Sequence, residues 1–314
     1  MATSLSYDYS VTAADILTEA LQFNGVLASG ETISSDDSTS CLRTFNMMVK
    51  QWSGNIDFAP GLKAFSRKHG YLFLQQAQSV YSIGPSGDNA SLTYVTTTMR
   101  VNAATSATTL ELTSTTGMTA ADKIGIELDS GLIFWTTISS VTDSDTLVIT
   151  TGLSGASSVG TRIFTYTTKL MRPLYIENAV VRDVDTNDTP LTPMTLEYYE
   201  YLSNKTSDAY PTYYRYDNTL TNGTFYIDVE PSSVKNVIRL TFMTPAEDYD
   251  LTTNDIAFPQ EWYLPLAIGL SKLVSPKFSL PWTPDKEDAF QSALSIARTS
   301  YAETTDMYFQ PGLE

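Results

Sequence analysis

The sequence predicts an α+β protein: a helical core from N- and C-terminal helices plus antiparallel strands, carrying an inserted small all-β module of the barrel or sandwich type. Apolar residues recur at helical spacing near the two ends of the 314-residue chain. Between them, from Val95 to Thr168, 29 of 74 residues are Ser or Thr, broken by short β-type runs such as Ile124–Leu128 and Leu132–Ile138. The flanks of that segment, Tyr81–Asp88 and Met171–Ile176, read as one motif cut in two. The expected organisation is therefore a discontinuous core domain (1–94 and 169–303), an inserted domain (95–168) and a C-terminal tail (304–314).

The first helix starts at Thr12, a hydroxyl cap with Asp15 three residues on, and carries Ile16, Ala20, Phe23 and Leu27 on one stripe up to a stop at Gly30. Ser34 and Ser35, followed by Asp36 and Asp37, open a second helix with Leu42, Phe45, Val49 and Trp52 on its face, so the two are expected to form a helical hairpin. Gly54, Pro60 and Gly61 end that pattern. Tyr71–Leu74 and Val80–Ile83 then read as strands before a turn at Gly84–Gly87.

Five strands are expected in the insert, near 108–113, 123–129, 132–140, 146–151 and 162–167. Beyond it, 174–184, 212–216, 224–229 and 237–244 resume strand patterns, and 193–205 has a helical cast with Thr195 as cap. Pro259 suits a first helical position, but Pro265 demands a later start or a kink in a helix with Trp262, Leu266, Leu270 and Leu273 on one stripe. Thr283-Pro284-Asp285 opens the last helix, with Phe290, Leu294, Ala297 and Tyr301 on one face.

Composition narrows the chemistry. One cysteine, Cys41, and one histidine, His69, leave no internal disulfide and no Cys/His-rich metal site. No apolar run is long enough to span a membrane, and the first residues lack a basic leader and an apolar signal region. With 35 acidic against 19 basic residues, the net charge of −16 argues against avid phosphate binding, while an acidic wall would let a polyanion slide past.

A His-dependent triad has no nucleophile elbow to use, and Lys63, Arg67, Lys68 and His69 read instead as a small basic patch, able to touch DNA or an acidic partner, with a solvated loop as the plainer reading. Glu197 with Glu200, or Glu247 with Asp248, are the carboxylate pairs a glycoside hydrolase would need, and exposed acids are the plainer reading. Asp183–Asp188 spaces oxygens like a calcium loop but has Asp188 where Gly is required and Met194 where a bidentate acid is required, so it reads as a polar turn. Tyrosine occurs 19 times, clustered at Glu197–Tyr201 and Tyr210–Tyr216, a composition shared by recognition surfaces and half-buried faces.

The order of these elements resembles the head-to-tail adaptor family of short-tailed phages, the tail accessory or packaged-DNA stabilisation proteins. The resembling segments are Ala14–Leu21 with Gly25–Glu31, Leu42–Met48 with Trp52, Tyr81–Asp88, Arg172–Leu174, Pro211–Tyr216 and Phe258–Trp262. The resemblance implies a non-enzymatic virion neck protein without cofactor or metal, forming a ring of about twelve copies. Its partners would be the portal protein, a downstream tail or nozzle protein, further copies of itself, and packaged DNA passing without sequence-specific binding. Tyr301, Met307, Tyr308, Phe309 and Pro311 are the expected portal-docking residues. The β insert departs from the minimal adaptor pattern. The alternatives are a virion-associated glycan hydrolase, or a surface or glycan-binding module acting through the insert.

Overall fold

The structure, a computed structural model, describes residue 6, residues 8–54 and residues 62–299. It is mixed α+β with several antiparallel sheets, and it divides into two compact units, Met1–Ser66 with Pro245–Glu314, and Arg67–Thr244. Among the described residues the α-helices are α1 (Ala13–Asn24), α2 (Ser35–Gly54), α3 (Leu196–Tyr201), α4 (Tyr263–Val274) and α5 (Pro284–Thr299).

The first unit holds α1, α2, α4 and α5. Thr12 caps α1 in a full capping box: its hydroxyl accepts the Asp15 N–H, and the Asp15 carboxylate accepts the Thr12 N–H at 2.8 Å. The helix ends five residues before the expected Gly30, because Gly25 takes the left-handed conformation (φ 76°) and lets its N–H and that of Val26 satisfy the last carbonyls. Ser34 accepts the Asp37 N–H at 3.1 Å and so starts α2 as its sequence implies.

Pro259 caps a short 3-10 turn, Gln260–Trp262, from which α4 follows directly. Pro265 falls in the first turn of α4, where an N–H would have had no helical acceptor, so neither kink nor delay is needed. Phe45, Met48, Trp52, Trp262, Leu266 and Phe290 lie in one apolar cluster built from all four helices. The expected hairpin needs correction: α1 packs chiefly on α4 and only secondarily on α2. Gly269 makes a close approach possible in α4, since a Cβ there would run into the Trp52 ring.

The second unit holds two sheets facing each other and the insert. Strand Arg67–Phe73 pairs antiparallel with Val237–Met243 in register from Arg67↔Met243 to Phe73↔Val237, and Tyr175–Arg182 and Asp188–Pro190 continue that sheet. The opposing sheet runs Thr192–Pro193, Tyr213–Asp217, Gly223–Ile227, Val80–Ile83. Leu72, Leu240 and Phe242 from the first meet Ile83, Tyr214 and Phe225 from the second in one core.

Between the two halves of this sandwich, Val95–Thr98, Thr109–Glu111, Lys123–Glu127, Ile133–Val141, Thr146–Ile149 and Arg162–Tyr166 make a separate six-stranded sheet around their own core. The bridge Met99↔Leu112 joins the first strand of that sheet to the last and curls it into a small barrel. Of these strands, Val95–Thr98 is not among the five expected from the sequence.

The insert leaves and re-enters the sandwich through two segments held side by side. The buried Ser91 hydroxyl lies 2.8 Å from Thr93 O and 2.9 Å from Thr168 O, and Leu170 N donates to Ala90 O. Beside this neck, Phe73 of the sandwich packs on Trp135, Phe164 and Tyr166 of the barrel at ring separations of 5.2, 5.1 and 5.6 Å. Gln75 adds a pair of 2.9 Å hydrogen bonds to the Ile133 N–H and carbonyl.

Candidate functional site

The residues of the expected basic patch fall on two elements. Lys63 belongs to the 3-10 turn Leu62–Ser66 and its side chain lies outside what is described. Arg67, Lys68 and His69 do not form a loop: they open the strand Arg67–Phe73, where alternation sends Lys68 to the opposite face from Arg67 and His69. The Arg67 guanidinium is held by Glu177 (2.8 Å and 3.1 Å), and His69 Nδ1 lies 3.1 Å from the Thr241 hydroxyl. Glu177 also accepts a hydrogen bond from Tyr175 at 3.0 Å, whose phenol burial and this carboxylate push up. Tyr301, Met307, Tyr308, Phe309 and Pro311 lie outside the described residues.

Glu197 and Glu200 stand exposed on the six-residue α3, and Asp248 is ion-paired to Lys50 at 2.5 Å. Asp183 accepts backbone N–H bonds from Asp185 (2.8 Å) and Asn187 (2.9 Å), the self-closed turn expected of that run. Among the described residues, no group of three or more His, Cys, Asp or Glu is placed to hold a metal ion, and no helix is long and apolar enough to cross a membrane.

The tyrosine clusters do converge. Tyr198 of α3 packs on Tyr213 at 5.1 Å and Tyr199 on Tyr226 at 4.9 Å, with Lys205 Nζ 5.0 Å above the Tyr199 ring. Tyr201 remains 85% exposed at the end of the helix, so this face is partly recognition-ready and partly ordinary packing.

A groove that the sequence reading does not identify lies in the first unit, between α1 and α4, with a volume of about 650 Å³. Its floor is Val11, Ile16, Ala267 and Ile268. On its rim stand Tyr9 and Leu264, 68% and 62% exposed, and Phe23, which belongs to the expected apolar stripe of α1 but is 38% exposed. Asp15 and Glu19 line one wall, one helical turn apart. Burial and the charges of Asp255 and Glu261, together with Tyr9, push up the phenol of the lining Tyr263.

The one signal in the sequence for this groove is α4 itself. Tyr263, Leu264, Leu266, Ala267, Ile268 and Leu270 are apolar nearly all round, more than a one-sided amphipathic helix carries, and Leu264 is the surplus left uncovered.

The insert carries a shallower groove of about 610 Å³, lined by Thr96, Thr97, Thr98 and Thr113 with Arg162 and Lys235. Its threonine hydroxyls are engaged within the module, as in the 2.9 Å Thr98–Thr113 bond and the 3.0 Å bond from Thr96 to the Ile163 carbonyl, and no aromatic ring lines it. Compared with models of known families and with curated proteins, the chain matches none.

Proposed function

We propose that the chain is a head-to-tail adaptor of a short-tailed phage, a non-enzymatic ring protein that sits beneath the portal, extends the DNA channel, retains the packaged genome and docks the tail. The observation that carries this reading is convergence. Three resembling segments far apart in the chain, Ala14–Leu21, Leu42–Met48 with Trp52, and Phe258–Trp262, fall in one helical unit, where Leu17, Phe45, Trp52 and Trp262 share a core. That unit also leaves an apolar groove open, as a component that docks other proteins does. The net charge of −16 fits a wall past which DNA slides without sticking. In this reading the β module decorates the ring from a surface turn, where insertions are tolerated.

Light scattering on the protein alone and mixed with its portal tests the proposal: a defined co-assembly is expected, and failure to assemble with portal or tail proteins refutes it. Deleting residues 95–168 is expected to leave ring assembly intact. The Thr-lined groove of the barrel is the observation favouring a glycan-binding role for the insert instead, and under that reading the same deletion abolishes the main activity while assembly is beside the point.

A further inference from the structure

We propose that the groove between α1 and α4 binds a cationic amphipathic helix of a partner protein. The inference rests on the groove alone and goes beyond the adaptor reading, whose expected docking residues, Tyr301 and Met307 to Pro311, lie elsewhere in the sequence.

The apolar floor and rim call for an occupant that contributes apolar side chains. Tyr9 and Leu264 stand up on the rim, where a small molecule seated on the floor would leave them wet; a polypeptide lying along the groove covers both. Charge then selects among polypeptides. Asp15 and Glu19 project from consecutive turns of α1, none of the described lining residues is Lys or Arg, and Asp255 and Glu261 add to the negative potential felt at Tyr263.

Lys286 lies over Phe23 at 5.9 Å at one end of the groove and is tied to Asn24 Oδ1 at 3.1 Å. Asp15 is engaged by Thr12, but its remaining oxygen and both of Glu19 can accept from a ligand. Two basic residues one turn apart on a helix match the i, i+4 spacing of the two acids, with the apolar stripe beside them turned to Ile16 and Ile268. The same charge pattern argues against two other occupants. DNA is repelled, and residues 300–314 of this chain contain Glu303, Asp306 and Glu314 with no Lys or Arg.

The test uses the full chain and two labelled helical peptides of Leu and Ala, one carrying Lys pairs at i, i+4 spacing and its twin carrying Glu, read by fluorescence anisotropy. The Lys peptide is expected to bind at least about tenfold more tightly than its twin, and less tightly as salt rises. Glu19→Lys is expected to invert that preference. Leu264→Ser is expected to weaken the Lys peptide by about tenfold, roughly the loss of one half-buried leucine. Both positions are exposed, so unchanged melting curves will show that the variants fold.

Glu197→Lys on α3 makes the same charge change away from the groove and is expected to leave binding unchanged. The proposal is overturned if neither peptide binds, if the two bind alike, or if Glu197→Lys weakens binding as much as Glu19→Lys, which would mean that net charge alone attracts the peptide. No portal enters this measurement, so a failed ring assay and a failed peptide assay are separate outcomes.

Discussion

The two units of this chain bury their cores by different routes. The β unit, Arg67–Thr244, is one continuous stretch, and its pairings include many made between strands near in sequence, such as Tyr213–Asp217 with Gly223–Ile227. The helical unit is assembled from both ends: α1 finds its main partner in α4, some 250 residues later, and Asn24 Nδ2 donates to Ser271 O across a separation of 247 residues. A helix pair of that kind gains nothing until a long loop is closed, and closure is cheapest when the loop is already folded. The difference teaches that the β unit, complete within one stretch, can serve as the folded loop that brings α1 and α4 together.

The strongest way to break that comparison is to separate the parts. Expressed alone, residues 67–244 are expected to give dispersed amide spectra and a cooperative melt, because both sheets, their shared core and the barrel are complete within the stretch. Residues 1–66 alone are expected to be unfolded, since α1 and α2 would expose Leu17, Leu21, Phe45 and Trp52 without α4. A folded 1–66 fragment would show that the two ends do not need each other.

A point substitution sharpens the same contrast at smaller scale. Phe45 is fully buried among α2, Tyr249 and α4, its ring 5.1 Å from that of Tyr249. Phe45→Ala is expected to cost about 3–5 kcal/mol. If the β unit is self-sufficient, this loss falls on helical unfolding alone: in urea the far-ultraviolet signal of helix is lost earlier, while the near-ultraviolet signal of the Phe73–Trp135–Tyr166 cluster keeps its midpoint. Simultaneous loss of both signals would show a single cooperative domain.

Much of the secondary structure was legible in the sequence because the local chemistry is self-declaring. Thr12 with Asp15, Ser34 with Asp37, Thr195, and Thr283 with Pro284 each carry their helix start in a few residues, and strands such as Gly223–Ile227 alternate buried and half-exposed positions as written. What stayed hidden is relational. Helical periodicity tells α1 which face to bury but not against which helix, so the hairpin with α2 was the natural expectation and the pairing with α4 was not visible. Val95–Thr98 is a strand because Arg162–Tyr166 supplies its ladder, not because its threonines announce one. The basic run at 67–69 was legible as charge, but only the sheet register places Glu177 against Arg67. The groove unites Tyr9 with Leu264, which no local window can contain.

The smallest expected effect distinguishes the helical unit by its response to acid. Glu287 in α5 accepts from Lys272 Nζ and Trp282 Nε1, each at 2.7 Å, and from Gln291 at 2.8 Å. The Lys272 bond first, then those of Gln291 and Trp282, hold its carboxyl down at about 2. A carboxyl depressed in the folded state contributes stability that is fully present above its unfolded value and lost as pH falls toward the folded one, here from about 4.5 to about 2. Lys272 and Glu287 are 39% and 33% exposed, so solvent screening limits the contribution to about 1 kcal/mol. Glu287→Gln is therefore expected to lower the melting temperature slightly at neutral pH and to narrow that deficit at pH 3. The effect should appear in the helical transition alone, because all four groups belong to α4, α5 and the turn before α5. An equal shift in the β unit's midpoint would mean that the two units unfold together after all.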